Sequence, residues 1–458
     1  MCSRKDFKLK NISFVLFFVL VVALFLLLSL DYFGLYRTPN NFEDNPSYAV
    51  FSQDNRPNIV TKFGSNLSSS PEKYLILHQG GLGWRPMLAE NLIKNYKYIE
   101  ELPFDGFTTL GNSYTDRVMK KGENVTYNQV WREVNGLKDL YQKKTENFMI
   151  VNIHFPGDFW DDVAWEQTAK NFSIVAKVAK DLGFKGIAFD DEPYTKDAIK
   201  MTNFRFPKKS EVKRYPNRYA EWERKGAQPN WVDYGEKGHA YRNEDYNFSQ
   251  HMSKVTDRFQ RVMELMVKEY PDITVLVYFG SMFSHPKTDW KDLLTSSTAG
   301  VRTHEYKGAM FTGFKKGLGK HSSLHDMAER YAYRKPKHFQ DSYRWRKYEM
   351  AKDKNNDTLD KSWQWSIPKK ERRDWSKVVN VGFMSFNKGL KNPYNFEYDT
   401  RDKSTLKDIE SATKNALKYS DKYVVYFSLE QNWLTPDDKR FPIEKKWRES
   451  LKRVYESY

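Results

Sequence analysis

The sequence contains a single cysteine, Cys2, among 458 residues. No disulfide can form within the chain, and zinc or redox sites built on several cysteines are excluded. Signatures of other site classes are also missing: the glycines of "HQGGLGWRP" form no GxGxxG or phosphate-binding loop, and no His-Glu-x-x-His occurs. We therefore expect no cofactor and no metal, with a metal site at His78, His154 and Asp190 as the alternative.

Charge is absent from residues 12–30, "ISFVLFFVLVVALFLLLSL", which also lack a small-residue cleavage site. This apolar run is long enough to cross a bilayer, and four basic residues precede it against one acidic residue. We expect a cytoplasmic tail at 1–11, an uncleaved transmembrane anchor at 12–31 and an Asn-, Pro- and Ser-rich linker at 32–72. The folded domain, 73–458, would then lie on the outer side, whether periplasmic, extracellular or luminal.

Aromatic residues and positive charge are both plentiful. Aromatics make up 16% of the chain and its formal net charge is +16. The rings serve either a well-filled core or a groove that stacks against sugars or bases. The charge indicates an anionic partner, either a glycan or the lipid surface near the anchor. Nucleic acid is the third candidate, but the predicted outward topology argues against it.

Short apolar runs that end in polar residues alternate with helical periodicity. Helical spacing is clear at 161–182 and 249–269. The eight predicted strands span 74–80, 106–111, 148–154, 186–192, 274–280, 300–306, 378–387 and 423–433. Eight strand-helix repeats predict an α/β fold of the (β/α)8 TIM-barrel type, with a doubly wound open sheet as the alternative.

Two connections are longer than a barrel needs. Residues 195–248 follow the predicted fourth strand, and residues 307–376 follow the predicted sixth. The second carries 18 Lys and Arg against 9 Asp and Glu. We interpret both as insertions at the C-terminal face of the barrel, where active sites of this fold lie.

The predicted fourth strand ends in three acids, within "GFKGIAFDDEPY". Because side chains alternate along a strand, Ile187 and Phe189 suit the helix-facing side, and Asp190 and Glu192 share the barrel-facing side. Two carboxylates that close cannot both ionise freely, so one pKa should rise, as a general acid requires near neutral pH. Asp191 should turn away, either as a helix cap or as a structural hydrogen-bonding group.

This stretch resembles the fourth-strand signature of the chitinase-type glycoside hydrolases, which ends in Asp-x-Glu. The resemblance implies that Glu192 protonates the glycosidic oxygen and that Asp190 orients an acetamido group of the substrate. The stretch also resembles the Asn-Glu-Pro ending found in cellulase-type barrel hydrolases, with Asp191 in place of the Asn. That family has a nucleophilic Glu on strand seven, whereas strand seven here ends "SFNK".

Other strand-end residues would complete the site. Glu430 ends the predicted eighth strand, which faces the fourth across a barrel, so we predict it as the second catalytic carboxylate. The predicted substrate-binding residues are His78, Trp84, His154, Tyr278, Glu305, Asn387 and Trp433.

The sequence therefore predicts a membrane-anchored glycoside hydrolase that acts on a polysaccharide, possibly an anionic one, with no nucleic-acid partner. The alternative is a catalytically inactive glycan-binding barrel that serves as a partner in envelope or exopolysaccharide assembly. The absence of a carboxylate at the end of strand seven favours this alternative.

Overall fold

A computed structural model describes the greater part of the predicted domain. The described residues are 72–80, 82–193, 195–202, 246, 248–281, 306–327, 333, 335–349, 367–387, 406–428, 432–437, 443 and 445–458. The predicted tail, the anchor at 12–31 and the linker up to residue 71 lie outside them. Among the helices of the described residues, none is both long and apolar enough to span a membrane.

Nine parallel strands form one sheet in the described part of the chain. They are β1 (Tyr74–Gln79), β2 (Gly106–Thr109), β3 (Phe148–Asn152), β4 (Gly186–Asp190), β5 (Thr274–Val277), β6 (Ser323–Asp326), β7 (Val379–Val381), β8 (Phe383–Asn387) and β9 (Tyr423–Ser428). Their order in the sheet is β7-β6-β5-β4-β3-β2-β1-β9-β8.

The two outermost strands of this order are halves of one bent strand. Only Gly382 separates β7 from β8. β7 pairs with β6, β8 pairs with β9, and β9 pairs with β1. The sheet therefore closes on itself with eight strand positions, which confirms the predicted TIM-type barrel. An open doubly wound sheet is wrong because the first and last strands are hydrogen-bonded to each other.

Helices connect successive strands around the outside. The α-helices of the described residues are α1 (Ala89–Lys94), α2 (Tyr96–Glu100), α3 (Tyr127–Val134), α4 (Asp162–Leu182), α5 (Lys196–Thr202), α6 (Phe248–Glu269), α7 (Lys307–Gly317), α8 (Pro336–Arg344), α9 (Lys369–Arg372), α10 (Trp375–Val378), α11 (Leu406–Tyr419) and α12 (Lys445–Tyr455). Shorter 3-10 helices span Leu82–Met87 and Asn135–Leu137, and a π-helix spans Trp345–Glu349.

Helix α4 shows how local sequence sets these boundaries. The Asp161 side chain accepts a hydrogen bond from the Ala164 amide and caps the first turn. Gly183 ends the helix in the left-handed conformation, with φ of 77°. The face between these caps buries large rings, such as Trp165 and Phe172, against the sheet and α6.

The predicted sixth strand, 300–306, was placed wrongly. The sixth barrel strand is β6, whose His325 pairs with Leu276 of β5. Residues 300–305 lie outside the described residues, and Tyr306 directly precedes α7. The supposed insertion at 307–376 therefore contains a regular helix and strand of the barrel. β6 is only four residues long and carries buried polar side chains at His325 and Asp326, so apolar periodicity does not reveal it.

Candidate active site

Strand β4 presents alternate side chains to the two sides of the barrel wall, as predicted. The Phe189 ring packs against rings of α4, α6 and α7, at Phe172, Phe259 and Phe314. Asp190 follows Phe189 and ends the strand, so alternation directs it to the barrel side. Its side chain is buried, and its Cα pairs with that of Asn152 at the end of β3.

Asp190 and Glu192 are linked by a hydrogen bond within the short turn beyond β4. The Glu192 backbone amide donates a hydrogen bond to Oδ1 of Asp190 at 3.1 Å. Glu192 itself is half-buried. The bond folds the Asp190 carboxylate back over the turn that carries Glu192, so the two residues form one local unit at the C-terminal end of the barrel.

Asp191 lies between them and is completely buried. Its Oδ2 is 2.6 Å from Nζ of Lys307, and neither side chain is exposed. Its Oδ1 accepts a hydrogen bond from the Phe279 amide at 2.8 Å, and its carbonyl oxygen accepts one from the Tyr306 hydroxyl at 2.9 Å. The prediction that Asp191 is a structural hydrogen-bonding group is confirmed.

Burial dominates the electrostatics of this ion pair. It raises the pKa of the Asp191 carboxyl and lowers the pKa of the Lys307 amine, and in each case the partner's charge opposes the shift. Asp190 and Glu192 also help to hold the proton on Lys307. Four ionisable groups therefore share one electrostatic environment at the end of β4.

The floor of the barrel mouth is built from strands on opposite sides. Tyr278, just after β5, places its hydroxyl 3.3 Å from Nδ1 of His78 on β1, and their ring centroids are 5.1 Å apart. The same His78 nitrogen lies 2.8 Å from Oγ1 of Thr108. Burial lowers the pKa of His78 to about 3, so its imidazole is neutral near neutral pH. Both predicted binding residues therefore lie buried beneath the mouth.

The other predicted substrate-binding residues lie at several places around the barrel or outside the described residues. His154 is half-buried in the loop after β3, Trp84 lies in the 3-10 helix after β1, and Asn387 ends β8. Glu305 and Glu430 lie outside the described residues. The prediction that Trp433 binds substrate is wrong. Its side chain is fully buried, with its ring centroid 5.3 Å from that of Phe104 and 5.9 Å from that of Tyr426. Its ring has no face open to a sugar, because it fills the core under the loop after β9.

The sequence did not single out two features at this end of the barrel. Lys307, the partner of Asp191, stood among the basic residues of a supposed insertion. Trp160, after β3, stacks on Tyr246 with ring centroids 3.4 Å apart, and its Nε1 donates to Nδ1 of His251. The run "GDFWDD" after β3 was the available signal for Trp160. Nothing in the local sequence signals that Lys307 meets Asp191.

Among the described residues, no group of three or more His, Cys, Asp or Glu side chains is arranged to hold a metal ion. The alternative site of His78, His154 and Asp190 does not assemble there. His78 instead uses Nδ1 in contacts with Thr108 and Tyr278.

The closed parallel barrel places the chain among proteins with a TIM-barrel fold. No protein-family model matches the sequence, and no curated protein matches it.

Solved structures similar to the chain include a GH18 chitinase from Pseudoalteromonas aurantia (10% identity, 83% of this chain and 100% of that one, TM-score 0.36). Others are a GH5-4 broad-specificity endoglucanase from an uncultured bacterium (9%, 80% and 84%, 0.37) and the 3-keto-D-glucoside 4-epimerase YcjR from E. coli (14%, 83% and 99%, 0.34). The strand pairing itself establishes the barrel.

Proposed function

We propose that the protein is a membrane-anchored glycoside hydrolase that cleaves a polysaccharide on the outer side of the membrane. The observation that carries the proposal is the Asp190–Glu192 unit, held at the C-terminal end of the fourth barrel strand. Active sites of this fold lie at that face, and most glycoside hydrolases use a pair of carboxyl groups for catalysis.

In the proposed reaction, Glu192 donates its proton to the glycosidic oxygen as the bond from that oxygen to the anomeric carbon breaks. The sugar ring acquires positive charge, which the Asp190 carboxylate stabilises electrostatically. Water completes the hydrolysis, and its proton returns to a carboxylate. Glu430 is proposed as the second carboxylate, because it follows β9 in the sequence and β9 lies across the barrel from β4.

The substrate is proposed to be anionic. The net charge of +16 attracts carboxylate or sulfate groups on a glycan at long range. The neutral His78 and the Tyr278 ring beneath the mouth offer an uncharged floor, so the positive charge would act mainly on the approach of the polymer.

The second candidate is a glycan-binding barrel without hydrolase activity. It is favoured by Asn387, which ends β8 where cellulase-type enzymes carry a nucleophilic Glu. Such a protein would hold a polysaccharide for a partner in envelope or exopolysaccharide assembly.

The test compares the full chain with Glu192→Gln on neutral, amino-sugar and uronic-acid polysaccharides. Loss of the general acid should reduce hydrolysis by about 10²- to 10⁴-fold, with uronic-acid polymers the preferred substrates. Glu133→Gln is the matched control, since within the described part of the chain Glu133 accepts hydrogen bonds only from the Asn112–Ser113 turn in the loop after β2. Binding without cleavage by the unmodified chain would reject the hydrolase and support the binding barrel.

A further inference from the structure

We propose that Lys307 is a positioning residue for Asp190 and Glu192, which it holds in place through its ion pair with Asp191. In the sequence it is one of 18 basic residues between 307 and 376. The inference deepens the proposed function, and it rests on that function only for its effect on hydrolysis.

Three different residues contact Asp191 and hold it in place. Lys307 contacts the carboxylate at 2.6 Å, the Phe279 amide donates to its other oxygen, and the Tyr306 hydroxyl donates to its carbonyl oxygen. Tyr306 and Lys307 stand at the start of α7, whereas Phe279 follows β5. The Asp191 side chain and the peptide unit that follows it are therefore tied to both ends of the neighbouring connection, which runs from β5 to α7. These ties fix the chain between Asp190 and Glu192.

Lys307 carries its charge in a buried setting next to Asp191. Its side chain is completely buried, and its Nζ lies 4.4 Å from the centroid of the Phe279 ring. The ionisable groups that act on it are Asp191, Glu192 and Asp190. Removing this amine would leave Asp191 as a buried carboxylate without its counter-charge, so the turn would have to rearrange or take up a proton.

A second, partly buried lysine–aspartate pair provides the comparison. Nζ of Lys347 lies 2.9 Å from Oδ2 of Asp421, and that oxygen also accepts a hydrogen bond from the Val381 amide at 2.7 Å. The chemistry is the same, a lysine and a backbone amide on one aspartate. Asp421 lies two residues before β9, so this pair lies at the opposite end of the barrel from Glu192.

The test is amide hydrogen exchange of the full chain, followed in the peptide 186–193. Lys307→Met should speed exchange of this peptide about tenfold or more, because the Glu192 amide loses its fixed acceptor. Lys347→Met should speed exchange of this peptide no more than exchange of the other barrel strands, which report any loss of global stability. Hydrolysis of the preferred polysaccharide, measured in parallel, should fall in Lys307→Met and persist in Lys347→Met.

A second variant guards against misfolding of the first. Asp191→Asn combined with Lys307→Met removes both buried charges and should fold while still exchanging faster at 186–193. Unchanged exchange in both variants, with hydrolysis still dependent on Glu192, overturns the positioning role and leaves the hydrolase intact. Faster exchange in a chain that hydrolyses nothing supports the positioning role and counts against the hydrolase alone.

Discussion

At the scale of single residues, three consecutive acids meet three different surroundings. Asp190 is buried at the barrel side, Asp191 is paired with Lys307, and Glu192 is half-buried on the turn. Strand alternation predicted the first two orientations from local sequence. The partner of Asp191 lies 116 positions along the chain, and only the packing of α7 beside β4 brings it there.

Two interior histidines make stability depend on pH. Burial lowers the pKa of His78 and of His325 from 6.5 to about 3. Below about pH 6.5 the unfolded chain binds protons that the folded chain does not, so the stability present above pH 6.5 is lost as pH falls towards 3. We expect each histidine to lower the free energy of unfolding by about 2 kcal/mol at pH 5 relative to pH 7.

Urea unfolding at pH 7 and pH 5 measures this loss. His325→Leu should remove about half of the contribution that these two histidines make to the pH dependence, because His78 alone of the pair remains to take up a proton on unfolding. His321→Gln, at an exposed position, is the control for deleting a histidine. An equal fall for the unmodified chain and for His325→Leu would contradict the prediction.

At the scale of elements, the bend between β7 and β8 closes the barrel. A Cβ on Gly382 would lie 2.7 Å from the Tyr423 carbonyl oxygen and 2.5 Å from Sδ of Met327. The first contact is with backbone, which cannot move without breaking the pairing at β9. Close approach of two strands thus requires glycine at this position.

We expect Gly382→Ala to lower the free energy of unfolding by about 1–3 kcal/mol, measured in urea. Gly136→Ala is the control, because its added Cβ would meet only the Ile93 side chain, at Cδ1. That flexible tip can shift, so the control should cost less. Equal losses in the two variants would show that the bend does not depend on the absence of a side chain.

The elements were not all equally visible in the sequence. Strands such as β1, β3 and β9 are runs of buried apolar residues, and the prediction located them within a few residues. β6 was not predicted because two of its four residues are polar yet buried. His325 lies against the Tyr423 ring, and Asp326 forms an ion pair with Arg346 at 3.2 Å. Their burial is offset by tertiary contacts that a local pattern does not contain.

At the scale of the whole molecule, attachment to the membrane remains a prediction from residues 12–31. We expect the full chain to stay in the membrane fraction through an alkaline carbonate wash, since about 20 apolar residues span a bilayer. Val21→Arg together with Leu24→Arg should release it, because each arginine near the centre of the span costs about 2.5–3.5 kcal/mol. Recovery of the unmodified chain in the wash would refute the anchor.

The sequence by itself determined the repeating strand-helix pattern, the outward and inward sides of β4 and the place of Asp190 at its end. These follow from local periodicity, because successive side chains on a strand point to opposite faces of the sheet. Tertiary structure decided the closure through Gly382, the core position of Trp433 and the pairing of Asp191 with Lys307. Each of these joins segments far apart in the chain, and their meeting depends on how the whole barrel packs.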